Sequence, residues 1–267
     1  MERINSTYYT LADLGRAAVV WFIGWGRIIH LGAMILVLAM SPSSYSRSSR
    51  LVLARHVYTN TAPILIGFTL LCAMASVVIT RIVLVTALSY GVSQYALQLV
   101  IRVLVLELIP LTAALFVALR CTIPGGADVS RMRRRGELEA LRARGIDPVR
   151  QEVLPRVVAG VFSSVTLAAL SCVVALITVY VAVYGFTVTG LAVYTRLFGQ
   201  IFTPVVTLIF VLKCLFFSLA VALIPMASGV YDIITAPSRT AAEMRGLVRM
   251  FAVLLLLEGA SLVGNYY

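Results

Sequence analysis

Lysine is almost missing from this chain of 267 residues: among 22 Lys and Arg, only Lys213 is a lysine. Histidine is scarce as well, with His30 and His56 its only copies, so no His/Glu ligand pattern for a metal is available. A G-x-x-x-x-G-K-[ST] phosphate loop is absent, which excludes ATP hydrolysis by that route. No G-x-S-x-G nucleophile elbow occurs, and the 11 acids are scattered where an enzyme acting on lipids would cluster them. The four cysteines, Cys72, Cys121, Cys172 and Cys214, lack metal-ligand spacing and read as small buried hydrophobes. These absences leave no expected cofactor, metal or catalytic residue.

What remains is oil and arginine. Apolar residues make up 61% of the chain, charged residues 12%, and the mean hydropathy is +0.98. Such a composition means an all-α polytopic membrane protein, since a helix satisfies its own backbone in lipid. A span needs about 20 apolar residues. Five runs qualify: 61 to 80 (extending toward 88), 97 to 119, 157 to 184, 201 to 227 and 247 to 264. A sixth, 17 to 40, carries Trp21, Trp25, Arg27 and His30 and reads as a helix lying in the membrane interface. It starts late and is interrupted by Arg27, unlike a cleaved signal peptide. Residues 1 to 56 are therefore expected to hold the interfacial helix and its connection, and 57 to 267 a five-span domain.

The net charge of +11 comes from arginines that flank apolar runs, which points to the positive-inside rule and away from nucleic acid. Loops 41 to 56, 120 to 156 and 228 to 249 concentrate them, so all three are expected in the cytoplasm. The connections near 89 to 96 and 185 to 200 carry only Arg196 and belong on the other side. The N-terminus is then cytoplasmic, and the C-terminus, with its GNYY aromatic anchor, is outside. Arg81 and Arg102 fit least well: each snorkels toward the outer face or lines a cavity.

Glu107, Lys213 and Glu258 fall deep inside expected spans, where a charge must be paired or wet. Position matters more than charge at Lys213, because every cytoplasmic loop uses arginine. It is expected either to pair with Glu107 or Glu258, or to face a water-filled cavity. Pro110, three residues beyond Glu107, frees a backbone carbonyl in the same helix and permits a kink.

Residues 120 to 156 form a charged insertion with nine arginines and five acids. The pattern predicts one helix from Asp128 to Arg144, with Leu138 and Leu141 on a shared apolar edge. Arg133 would pair with Glu137, and Arg135 with Glu139. Gly145 suits a left-handed helix stop, Asp147 an N-cap and Pro148 a first helical residue. The product reads as a cytoplasmic docking element.

Three stretches carry a resemblance: LELIPLTAALFVALR (106 to 120), RMRRRGELEALRARGIDPVRQEVLPRVVAGV (131 to 161) and LKCLFFSLAVALIPMASGVYDIITAPSRTA (212 to 241). Together they resemble the MlaE/YrbE permease family, most distinctively in the spacing of Gly145, Asp147, Pro148, Pro155 and Arg156. The chain departs from the family pattern at Ile109, where Gly is usual, at Leu106, where some relatives carry Arg, and at Gly136, where the family's helix Glu falls. The resemblance implies the homodimeric transmembrane subunit of an ABC transporter, non-catalytic itself, moving phospholipid or a related lipid between the bacterial inner membrane and the periplasm. It further implies a cytoplasmic ATPase dimer docked on a coupling helix and a periplasmic MCE-domain protein above. Glu107, Lys213 and Pro110 would then lie near a lipid cavity, and Glu137, Leu138, Leu141, Arg144, Gly145, Asp147 and Pro148 would form the ATPase coupling element. A secondary transporter or a membrane scaffold recruiting a cytoplasmic partner are the alternatives; no inverted repeat favours the former.

Overall fold

The computed structural model describes residues 2–42, 47–231 and 239–266, with side chains of the first helix described from Trp21 onward. Of the expected aromatic anchor, Tyr267 and the side chain of Tyr266 lie outside the described residues, as do the side chains of Arg47 and Arg239.

Helices make up all the regular structure among the described residues. The first, α1, runs Glu2–Met40, and α2 runs Arg47–Ser89. Next come α3 (Ser93–Ile101), α4 (Ile109–Val117) and α5 (Ile123–Arg134), which join end to end through two wider π-type stretches, Arg102–Leu108 and Ala118–Thr122. They make one rod. A short α6 (Glu137–Ala143) follows, then α7 (Leu154–Tyr184), α8 (Leu191–Ile201), α9 (Pro204–Tyr231) and α10 (Arg239–Tyr266). Four of the five expected spans fall inside α2, the α3–α5 rod, α7 and α10, and the remaining one, 201 to 227, begins three residues before α9.

Among the described residues, six segments are long and apolar enough to cross a membrane: Trp21–Met40, Arg50–Ser89, Tyr95–Arg134, Val149–Tyr184, Pro204–Tyr231 and Met244–Asn265. The run expected to be interfacial is thus among the candidates by length and composition. One stripe of α1, made of Ile28, Leu31 and Ile35 at helical spacing, is buried in the largest core cluster, and Gly24 one turn earlier is buried against Arg249. Arg27 of the same helix lies 6.0 Å above the Tyr231 ring at the end of α9.

Small residues set the closest approach between helices. A Cβ on Gly126 in α5 would overlap the carbonyl oxygen of Pro225 in α9, and one on Gly229 would overlap the carbonyl of Gly126. Backbones meet there. Gly160 of α7 is likewise closed in by Thr122 and Ala222. This is the small-residue packing that membrane helices use where no hydrophobic effect drives them together. Hydroxyls add to it, with Thr61 of α2 and Ser163 of α7 hydrogen-bonded at 2.7 Å. On the short α8, Tyr194 donates to the Leu176 carbonyl at 2.9 Å, and its burial, with Tyr184 nearby, pushes the phenol up to about 12.

The charged insertion departs from expectation. In place of one helix from Asp128 to Arg144, the rod ends at Arg134 and α6 begins at Glu137. Gly136 sits between them in the left-handed region, at φ 72°. The physical reason is that glycine enters that conformation without penalty and weakens a helix interior by about 1 kcal/mol relative to alanine. The charge pairs follow the break: Arg135 meets Glu137 at 3.6 Å, Arg131 meets Asp128, and the expected Arg133–Glu137 and Arg135–Glu139 pairs do not form.

Candidate functional site

One polar knot lies inside the apolar bundle, built by three separate helical elements. Lys213 comes from α9, Glu107 from the wide turn before α4, and Glu258 from α10. The Lys213 ammonium bonds to a carboxylate oxygen of Glu107 and lies 2.9 Å from Oε2 of Glu258. Of the two pairings the sequence left open, both occur. Asn265, near the end of α10, donates to the other Glu107 oxygen at 3.4 Å. The side chains are 1% exposed for Lys213, 10% for Glu107 and 15% for Glu258, so the chain itself encloses the knot.

A third acceptor explains why the lysine stands where it does. Lys213 also donates to the Leu106 carbonyl, at 3.1 Å. That carbonyl lies four residues before Pro110, whose ring nitrogen has no hydrogen to give it. Proline has no N–H to give to the turn before it, and two side chains supply donors there: the Lys213 ammonium to the Leu106 carbonyl and the Cys172 thiol to the Val105 carbonyl, at 3.6 Å. Pro110 is itself buried at the start of α4. Two hydrogen bonds, to Glu107 and the Leu106 carbonyl, and the ion pair with Glu258 thus surround the ammonium, while Glu258 Oε2 itself has no hydrogen bond among the described residues. Two acidic side chains nevertheless share one ammonium, in a medium where an unpaired charge is costly.

The second group of singled-out residues lies at the opposite, arginine-rich end. Gly145 stops α6 in the left-handed conformation, at φ 75°. The Ile146 N–H bonds to the Leu141 carbonyl at 3.0 Å and the Gly145 N–H to the Arg142 carbonyl at 2.9 Å, the pair that defines a Schellman stop. Asp147 caps the following turn, its carboxylate accepting from the Val149 N–H at 3.0 Å, and Pro148 is buried behind it. Glu152 and Arg156 then pair at 2.6 Å.

The two leucines separate. Leu138 is 6% exposed and joins a core cluster with Val129, Val153, Leu154 and Val157, whereas Leu141 is only half-buried. Leu138 therefore anchors α6 to the bundle, and the exposed surface of α6 consists of Glu139, Ala140, Arg142, Ala143 and Arg144, with Glu137 half-buried beside it. The knot and α6 are connected only through the helices themselves. Between them lies the Gly126–Gly229 crossing, which sequence reasoning missed because its two glycines are remote in the chain.

No group of His, Cys, Asp or Glu capable of holding a metal occurs among the described residues. All four cysteines are free thiols, Cys72 and Cys172 buried. A search of curated proteins finds no match. The family model described as "Permease MlaE" matches residues 53–262, which spans the knot, the small-residue crossing and α6.

Proposed function

The chain belongs to the MlaE permease family, and from that premise we propose that it is the transmembrane subunit of an ABC transporter moving phospholipid or a related lipid between the bacterial inner membrane and the periplasm. ATP is hydrolysed by a separate cytoplasmic ATPase dimer, two copies of this chain enclose the lipid path, and a periplasmic MCE-domain protein receives or supplies the lipid. In this reading the arginine-rich end faces the cytoplasm, α1 lies in the interface, and five helices span.

The observation that carries the reading is α6. It is a short helix between two left-handed glycines, Gly136 and Gly145, pinned to the bundle by Leu138 and presenting Arg142 and Arg144 outward. A helix fixed at both ends moves as a body when pushed, and a chain with no phosphate loop needs a partner to push it. Glu137, Leu138, Leu141, Arg144, Gly145, Asp147 and Pro148 make this coupling element, with Leu138 holding it and Leu141 and Arg144 meeting the ATPase.

The knot supplies the polar end of the lipid path. A rearrangement driven by the ATPases separates the helices carrying Glu107, Lys213 and Glu258, and the lysine exchanges a carboxylate for the lipid phosphate. Pro110 keeps the Leu106 carbonyl available to hold the ammonium in between. Co-purification tests the coupling role: Leu141→Asp with Arg144→Glu is expected to abolish ATPase association without lowering the melting temperature of the permease. A complex that survives both changes would sink the assignment of α6.

A further inference from the structure

Helices α2 and α7 pack against each other along the bundle, yet toward the end away from the arginine-rich loops they part. The opening is a groove of about 330 Å³ lined by Val77, Arg81, Ile177, Thr178, Val181 and Ala182. Arg81 is the only charged group in that lining, and it has no hydrogen-bond or ion-pair partner among the described residues. No Asp or Glu occurs on α2, and no Asp or Glu on α7. Nothing on either wall neutralises the guanidinium. The Thr178 hydroxyl is already committed, donating to the Val174 carbonyl at 2.7 Å.

Depth gives the groove its chemistry. Arg55 and Arg81 stand 26 residues apart on one continuous helix, about 39 Å at a rise of ~1.5 Å per residue. A bilayer with its headgroups is about 40–45 Å thick. With Arg55 at one headgroup layer, Arg81 reaches the other; Val77 lies one turn below it on α2, and Ile177, Val181 and Ala182 flank it from α7.

We propose that this groove binds one phospholipid from the leaflet opposite the arginine-rich loops, its phosphate on the Arg81 guanidinium and an acyl chain along Val77, Ile177 and Val181. Guanidinium and phosphate match in charge and in forked hydrogen-bond geometry, and the apolar walls select a ligand with a hydrocarbon tail over a free anion. The site lies on α2 and α7, away from the knot on the rod, α9 and α10. It requires only that the chain be in a membrane, so it stands or falls separately from the transport proposal.

Native mass spectrometry of the purified full chain, delipidated and then titrated with phosphatidylglycerol, tests it. Wild type is expected to retain one lipid with preference over a diacylglycerol of the same chains, and inorganic phosphate is expected not to compete. Arg81→Gln should weaken retention by roughly tenfold or more, the loss of a charge-assisted contact, and Arg81→Lys by less. Val181→Trp, which fills the groove and leaves the arginine, should weaken it comparably; a melting temperature held at the wild-type value keeps both variants interpretable. Equal retention by wild type, Arg81→Gln and Val181→Trp would overturn the site. So would competition by phosphate alone, or a photo-reactive group at Ile177 that captures a partner's membrane helix in place of lipid.

Discussion

Lys213 draws two carboxylates and a backbone carbonyl onto one ammonium, and this convergence sets the cost of removing it. Lys213→Met leaves Glu107 and Glu258 facing each other in a membrane interior with the Leu106 carbonyl unfilled. The expected loss is about 3–5 kcal/mol, the usual result of stripping one partner from a buried pair. Thermal melting in detergent reads it, and the triple variant with Glu107→Gln and Glu258→Gln should recover much of the loss; a single variant as stable as wild type would mean the knot is wet rather than dry. The residue was legible because it is the one lysine in a chain that otherwise uses arginine. Its choice of partner was not, since Glu107 and Glu258 are equally plausible in one dimension and only the packing of three helices brings both. The backbone acceptor was half legible: Pro110 announces a freed carbonyl in its helix, but nothing in the order of residues says that Lys213, more than a hundred positions later, donates to Leu106.

Elements in this bundle are defined by glycines used in two different ways. Gly136 and Gly145 adopt positive φ, at 72° and 75°, and so mark where α5 and α6 stop. Replacing either with alanine places a Cβ against the carbonyl in the left-handed region, at about 1–2 kcal/mol each. The predicted consequence of Gly136→Ala is a continuous or shifted α5–α6 helix with weakened ATPase association, checked by limited proteolysis and co-purification. Gly126 and Gly229 are helical, and they matter for space: Gly229→Val drives a side chain into the Gly126 backbone. Overpacking of this kind costs about 1–3 kcal/mol or more, so Gly229→Val should lower the melting temperature even though valine is the more membrane-compatible residue. A melting temperature equal to wild type would show that α5 and α9 do not meet as described. Gly145 was readable from its place before Asp147 and Pro148, a stop followed by a start. Gly136 was not, because charges at helical spacing run across it and suggested continuity. Spacing of four supports a helix only if the residues between can stay helical, and the sequence RRRGELE lets glycine decide otherwise.

At the scale of the molecule, the helices form a membrane bundle in which one end holds a charged, capped helix and the interior holds a lysine with two acids. The class was legible from composition alone, since so apolar a chain with so few charges must be helical and in lipid. The number of crossings is harder to read from hydropathy, because α1 is apolar enough to cross yet carries Arg27 and His30 and packs one stripe into the bundle. Its place is set by contacts with α9 and α10, which the sequence of α1 does not contain. In the proposed function the two ends are joined: force applied at α6 by a separate ATPase opens the knot at Lys213 to lipid. The direct measurement is transfer of a fluorescent phospholipid in vesicles holding the permease with its co-purified ATPase, with wild type and Lys213→Ala compared with and without ATP. The account predicts ATP-dependent transfer by wild type, and none by Lys213→Ala despite ATPase association at the wild-type level. Transfer by Lys213→Ala at the wild-type rate, or transfer by wild type that ignores ATP, would contradict it.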